Sequence, residues 1–231
     1  MGKRIIQRAR GHGSLTYQVR KGAYIFRIGY PSAEGKGVVL RILHSTAHSA
    51  PLAKIKVGNE IFYNPACEGM YEGQSIEIGK EIAPGNIAML KEIPLGTRVY
   101  NIESRQRDGG VFVRSAGSSA GIIQKANGIA NVLMPSKQEK KFDERCRATI
   151  GIIAGAGRMD KPFVKAGVVH YKMKSRNKLW PRSSAVKMNA VDHPFGSGRG
   201  KRIKSKIAKR NAPPGAKVGL LRPRRVGRKK R

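Results

Sequence analysis

Acidic residues are missing from both ends of this 231-residue chain. None occurs in residues 1–33, against seven Lys or Arg, and none in residues 196–231, against fifteen. That absence excludes a self-contained compact fold at either end, because like charges at this density repel unless something anionic lies between them. Cysteine is nearly absent too. Cys67 and Cys146 have no neighbouring cysteine and no Cys-x-x-Cys spacing, which argues against a disulfide framework or a cysteine-based zinc site and predicts two buried, reduced thiols. Aromatic residues make up only 6% of the chain, enough for small cores but not for a single large one. No apolar run approaches the roughly 18 residues needed to cross a bilayer. The opening MGKRIIQRARGHG lacks the apolar stretch of a secretory signal, so the expectation is a soluble intracellular protein with no membrane partner.

What is present is a nearly neutral middle. Residues 34–103 carry eight Glu and seven Lys or Arg, out of totals of 14 acidic and 47 basic residues. The chain therefore reads as a globular body with cationic extensions, and nucleic acid is the polyanion that fits them best. Residues 1–33 predict an extended arm without helix, in which Arg10-Gly11-His12-Gly13 and Lys21-Gly22 set basic groups beside glycines that let backbone approach a ligand closely.

From Gly37 the pattern becomes that of short strands, with Val38, Leu40 and Ile42 alternating against Val39, Arg41 and Leu43. Ile55 and Val57 face Ile61 and Tyr63 across Gly58-Asn59, a two-residue hairpin connection. Further strands are expected at 75–78, 87–91, 98–103, 110–115, 121–125, 131–135 and 148–154. The turn signals between them have the spacing of small β-barrels rather than of βαβ units. Pro84-Gly85-Asn86 marks an internal boundary. The organisation expected is a basic N-terminal extension (1–33), a first barrel (34–84), a second barrel (85–160) and a basic C-terminal extension (161–231). Past Arg158 periodicity fades.

Several segments resemble catalytic motifs. Gly155-Ala156-Gly157 lacks the third glycine of a dinucleotide loop and reads as a tight turn leaving a strand. Gly200-Lys201 is followed by Arg202 where a phosphate loop needs Ser or Thr. Val191-Asp192-His193-Pro194 sets a carboxylate beside an imidazole, but adjacent side chains on an extended chain point apart, so a bond between them needs a turn. Two readings outside structural RNA binding stay open on these residues: an RNA-directed or acyl-transfer enzyme using His193, and a general DNA-compacting protein.

The nucleic-acid candidates fall in runs. The N-terminal arm offers Arg4, Arg8, Arg10, His12, Arg20 and Lys21, and the exit from the barrels offers Arg158 and Lys161. The stretch 171–182 interleaves Lys172, Lys174, Arg176, Lys178 and Arg182 with two aromatics, so that cations can pair with phosphates while an aromatic face such as Trp180 stacks on an unpaired base or a sugar. Trp180 could instead plug the core of the second barrel. Lys187, Asn189 and His193 follow, and Asn177 and Asn189 can read base edges or a 2′-hydroxyl. The last cations are Arg199, Lys201, Arg202, Lys204, Lys206, Arg222, Arg224 and Arg225. No cofactor or metal is expected.

Five segments, in this order and spacing, carry a family resemblance: Pro94-Leu95-Gly96-Thr97, Asn101-Ile102-Glu103, Arg114-Ser115-Ala116-Gly117-Ser118, Glu144 to Gly151 and Val186 to Gly196. Together they resemble the universal large-ribosomal-subunit protein L-two family over nearly the whole chain. The resemblance implies an OB-like barrel followed by an SH3-like barrel, and basic extensions threaded through large-subunit rRNA near the peptidyl transferase centre. It also implies neighbouring ribosomal proteins as partners, room for tRNA or small-subunit contacts, a cytoplasmic ribosomal location and no homo-oligomer. His193 would then support RNA structure rather than transfer a proton. Bacterial members read His-Pro-His followed by three glycines and Glu, whereas Phe195, Ser197 and Arg199 stand here. The missing second histidine argues against a two-histidine catalytic or metal site, and Phe195 resembles the archaeal and eukaryotic branch.

Overall fold

The alternating pattern resolves into ten short strands in the computed structural model, which describes residues 2–19, 21–197, 207–208, 211, 218 and 220–221. The fold is mostly β and divides into two units. One comprises residues 21–164 and the other residues 1–20 with 165–231.

The β unit holds strands β1 (Gly35–Leu43), β2 (Leu52–Val57), β3 (Glu60–Pro65), β4 (Ser75–Ile78), β5 (Ile87–Met89), β6 (Arg98–Tyr100), β7 (Ala120–Ala126), β8 (Ile129–Leu133), β9 (Glu139–Asp143) and β10 (Arg147–Ile150). They are hydrogen-bonded in the order β3-β2-β1-β4-β5-β10-β6-β7-β8-β9. Every pairing is antiparallel except β4 with β5. Gly58-Asn59 closes the β2–β3 hairpin as expected, with Val57 opposite Glu60. A second two-residue hairpin joins β7 and β8 through Asn127-Gly128, both at positive φ (53° and 75°), the conformation a type I′ turn demands.

Strand β1 departs from simple alternation. Its register with β2 shifts between Val39 and Arg41, so this bulge leaves Leu40 and Arg41 exposed while Val39 and, across the bulge, Ile42 join the core. Adjacent residues of β5 divide the interior between them. Ile87 packs with Val39, Ile55, Val57, Phe62 and Ile76, whereas Ala88 packs with Val99, Ile102, Ile122, Val132 and Ile150. A third small cluster unites Cys67, Tyr100 and Ile153. Cys67 and Cys146 are buried free thiols, as the isolated spacing predicted. Burial pushes the Cys146 thiol up to about 11.

Three expectations are corrected. Residues 110–115 form no strand; Phe112 makes only an isolated bridge to Ile102. Asn101, Gly110 and Val113 all take positive φ there, and a Cβ at Gly110 would collide with the carbonyl and carboxamide of Asn101. Residues 139–143 do form a strand, β9, at the sheet edge, with only Phe142 of its five residues buried. Its two lysines suit a protected edge, and the Lys140 ammonium lies 3.5 Å from the Phe112 ring centroid.

The third correction concerns the second unit. Helix α1 (Ile6–Gly11) occupies the arm expected to be helix-free, and α2 (Ala166–Ser175) lies where periodicity fades. Neither helix has a capping side chain or an acidic first turn, and α2 buries no residue. Both keep basic residues in the last turn, which complements the C-terminal end of the helix dipole. Two further short strands, β11 (Ile207–Ala208) and β12 (Leu220–Leu221), pair in parallel. Among the described residues, no helix is long and apolar enough to cross a membrane.

Candidate nucleic-acid interface

The interior of the β unit is tied together by a network of buried polar side chains. Asn64 on β3 and Asn101 after β6 exchange an amide bond (Asn101 Nδ2 to Asn64 Oδ1, 2.9 Å), and Asn64 Nδ2 donates to Thr149 Oγ1 at 2.9 Å. The Tyr30 hydroxyl lies 2.7 Å from the same Thr149 oxygen and donates to the Asn101 carbonyl at 2.6 Å. Arg114 Nε donates to Asn101 Oδ1 at 2.8 Å. Fully buried Glu103 accepts from Arg147 Nη2 (3.0 Å), Nε (3.2 Å) and backbone N–H (2.9 Å), while Arg147 Nη1 donates to the Pro31 carbonyl at 2.8 Å. Desolvation raises the Tyr30 phenol well above its ordinary value. Residues 28–31 are thereby anchored to the sheet, reinforced by a Gly29 N–H to Tyr63 carbonyl bond of 3.1 Å.

The other unit is built around two chain segments distant in sequence. The Lys3 N–H donates to the Val191 carbonyl at 2.8 Å, and Lys3 Nζ lies 3.4 Å from Asp192 Oδ1. That pairing settles the Asp192–His193 question, because the carboxylate turns to Lys3 and not to its neighbour. The 189–196 loop turns on itself: the Asp192 and His193 N–H groups both donate to the Asn189 carbonyl, and the Gly196 N–H donates to the His193 carbonyl. A Cβ at Gly196 would collide with the Asn189 backbone. His193 is buried, its ring centroid 5.0 Å from that of Phe195. The Phe195 N–H donates to His193 Nδ1 at 3.1 Å, which leaves the ring proton on Nε2. This is the environment of a structural histidine.

Helix α2 ends in a Schellman turn that positions the aromatic stretch. Asn177 takes φ 52°, its N–H donates to the Lys174 carbonyl, and the Lys178 N–H donates to the Met173 carbonyl. The reversed chain carries Lys178, Leu179 and half-buried Trp180 back along the unit. Two grooves result. One, of about 310 Å³, is lined by Ile6, Arg10, Tyr17, Met173, Asn177, Lys178, Leu179, Trp180 and Arg182. The other, of about 400 Å³, is lined by Leu15, Thr16, His170, Lys174, Asn177, Lys178, Leu179 and Trp180. Trp180 belongs to none of the buried clusters of the β unit.

Of the candidates named from sequence, the structure gathers Arg10, Lys174, Lys178, Trp180 and Arg182 around these grooves. Arg4, Arg8, His12, Arg176, Lys187 and Asn189 are exposed elsewhere in the same unit, and Lys172 is half-buried. Lys21, Arg158 and Lys161 are exposed on the β unit, Arg158 within a one-turn 3-10 helix (Ala156–Met159) that follows Gly155 at φ 82°. Arg20, Arg199, Lys201, Arg202, Lys204, Lys206, Arg222, Arg224 and Arg225 lie outside the described residues. Sequence reasoning passed over Tyr17, whose ring sits beneath the Arg10 guanidinium at 6.0 Å. The only signal available was one aromatic flanked by polar residues.

The unit formed by residues 1–20 and 165–231 carries 27 Lys or Arg and one acid, and among its described residues Tyr17 and Trp180 stand partly open beside Arg10, Lys174, Lys178 and Arg182. That combination defines a polyanion-binding protein. The comparisons narrow the class. The family described as "Ribosomal Proteins L2, C-terminal domain" matches residues 83–215. "Large ribosomal subunit protein uL2" of Archaeoglobus fulgidus is 45% identical over 98% of this chain and 99% of its own length. The proteins of the same name from Hyperthermus butylicus and Haloarcula marismortui are 44% and 43% identical, over 100% and 99% of this chain and 100% and 98% of their own lengths. The chain belongs to this ribosomal protein family. It is a family of structural components rather than of enzymes, so the acyl-transfer reading of His193 falls.

Proposed function

We propose that this chain is a structural constituent of the large ribosomal subunit, located in the cytoplasm within that particle, where it binds large-subunit rRNA and supports assembly and translation. The observation that carries the reading is the concentration of 27 cations against a single acid in one unit, with aromatic grooves among them. Such a surface neutralises phosphates where RNA helices would otherwise repel. Residues 34–84 act as an OB-like barrel and 85–160 as an SH3-like barrel, a subdivision supported by the two apolar clusters that meet at Ile87 and Ala88. Residues 1–33 and 161–231 are the RNA-threading extensions, reaching toward the peptidyl transferase centre, beside neighbouring ribosomal proteins and with access to tRNA or small-subunit elements.

Density-gradient fractionation of a native extract, followed by salt washes of the large-subunit peak, tests this. Stoichiometric retention through salt that strips loosely bound cationic proteins is expected; release at low salt, or equal affinity for duplex DNA and large-subunit rRNA at physiological salt, would refute it. With about ten phosphates contacted, log affinity falls against log salt with a slope near −9.

A further inference from the structure

We infer that the paired grooves flanking Trp180 form a receptor for one unpaired RNA base, an inference that rests on the RNA-binding reading above and adds the chemistry of a single subsite. Three observations converge on it. Both grooves are acid-free: Arg10, Lys178 and Arg182 line the first, Lys174, Lys178 and His170 the second. Their volumes, about 310 and 400 Å³, suit one planar group rather than a helix. Trp180 walls both grooves and stays half-open, beside the apolar Leu179.

Asn177 adds a further observation. The Schellman turn holds this residue between the two grooves, and its carboxamide has no hydrogen-bond partner among the described residues. A base stacked on Trp180 would present its edge to that amide, which can both donate and accept, while its flanking phosphates meet Arg10, Lys178 and Arg182. A phosphate alone would gain nothing from the indole, and an acidic peptide would have no use for a flat aromatic wall. Bases inside a duplex have both faces stacked already, so the subsite selects single-stranded or bulged RNA.

Trp180 is the sole tryptophan of the chain and therefore reports on its own occupancy. The full-length protein is titrated with single-stranded oligoadenylate and with an RNA duplex of equal phosphate number, at salt where both bind. Oligoadenylate should quench the indole emission by more than about half and the duplex by less than about a tenth, as base–indole stacking requires. Anisotropy of labelled RNA should show Trp180→Ala weakening single-strand binding about tenfold and Trp180→Phe about twofold, with duplex affinity unchanged in both. Retained affinity in the phenylalanine variant separates loss of stacking from loss of folding. Single-strand binding without quenching, or equal quenching by duplex, overturns the base receptor and leaves the rRNA reading standing. Failure of both RNAs to bind even at low salt overturns both.

Discussion

The two units solve opposite problems. Residues 21–164 carry 20 Lys or Arg against 13 acids and bury their polar groups in closed networks. The remaining residues carry 27 against one. In the β unit a charge is admitted to the interior only when every bond is met, as with Glu103 and Arg147. In the basic unit, on the function proposed above, rRNA would supply the opposing charge. Stability is thus stored in one unit and binding capacity in the other, and substitutions should affect them separately.

The largest effect is expected from Glu103→Ala, which strands the Arg147 guanidinium and the N–H groups of Gly109 and Arg147; urea unfolding followed by circular dichroism should show a loss of about 3–5 kcal/mol. Truncation should then separate the units. Ile87→Ala, at a side chain 1% exposed, should cost about 2–5 kcal/mol, whereas Val168→Ala, exposed on α2, should change stability by less than about 0.5 kcal/mol. If both cost the same, the division of labour is wrong.

Reversing the emphasis, Arg10→Gln, Arg176→Gln and Arg182→Gln combined should leave the unfolding midpoint unchanged and reduce the salt slope of RNA binding by about one unit per cation that meets a phosphate. A pH dependence is expected of the β unit. Its buried Cys146 keeps its proton up to about 11, beyond the ordinary 9.0 at which the unfolded chain releases it. The resulting stability is complete below the ordinary value and is lost as pH rises through the folded one. Cys146→Ala should therefore flatten the alkaline fall of the urea midpoint. The smallest effect is expected from Asp192→Asn. The Lys3–Asp192 pair is exposed, so its loss should cost less than about 1 kcal/mol.

How much of this was legible varies with the physics of each element. The Gly58-Asn59 hairpin and the buried cysteines follow from local rules, and so does the charge map. Strand β9 was not legible, because with only Phe142 buried it has no alternation to detect. Helix α2 was missed for the same reason in helical form, burying no apolar stripe. The polar network of Asn64, Asn101 and Thr149 was invisible because those residue types read locally as turn formers. Residues 110–115 look extended in composition and are prevented by left-handed backbone at Asn101, Gly110 and Val113. In the candidate interface, the cations were identified one by one, but the grooves were not. They depend on Tyr17 and Trp180 being brought together from opposite ends of the chain, and on the reversal at Asn177.

The bond between Lys3 and Val191 also imposes an order on synthesis. Lys3 cannot reach its partner until the chain from there to Val191 has been made, a delay on the order of ten seconds or more at about 5–20 residues per second. The β unit has emerged by then, since all its strands lie between. For that interval the N-terminal cations are displayed without their eventual neighbours, free to gather counter-ions or any escort that shields positive charge. The timing of translation, rather than equilibrium stability, thus decides when the basic unit can first exist.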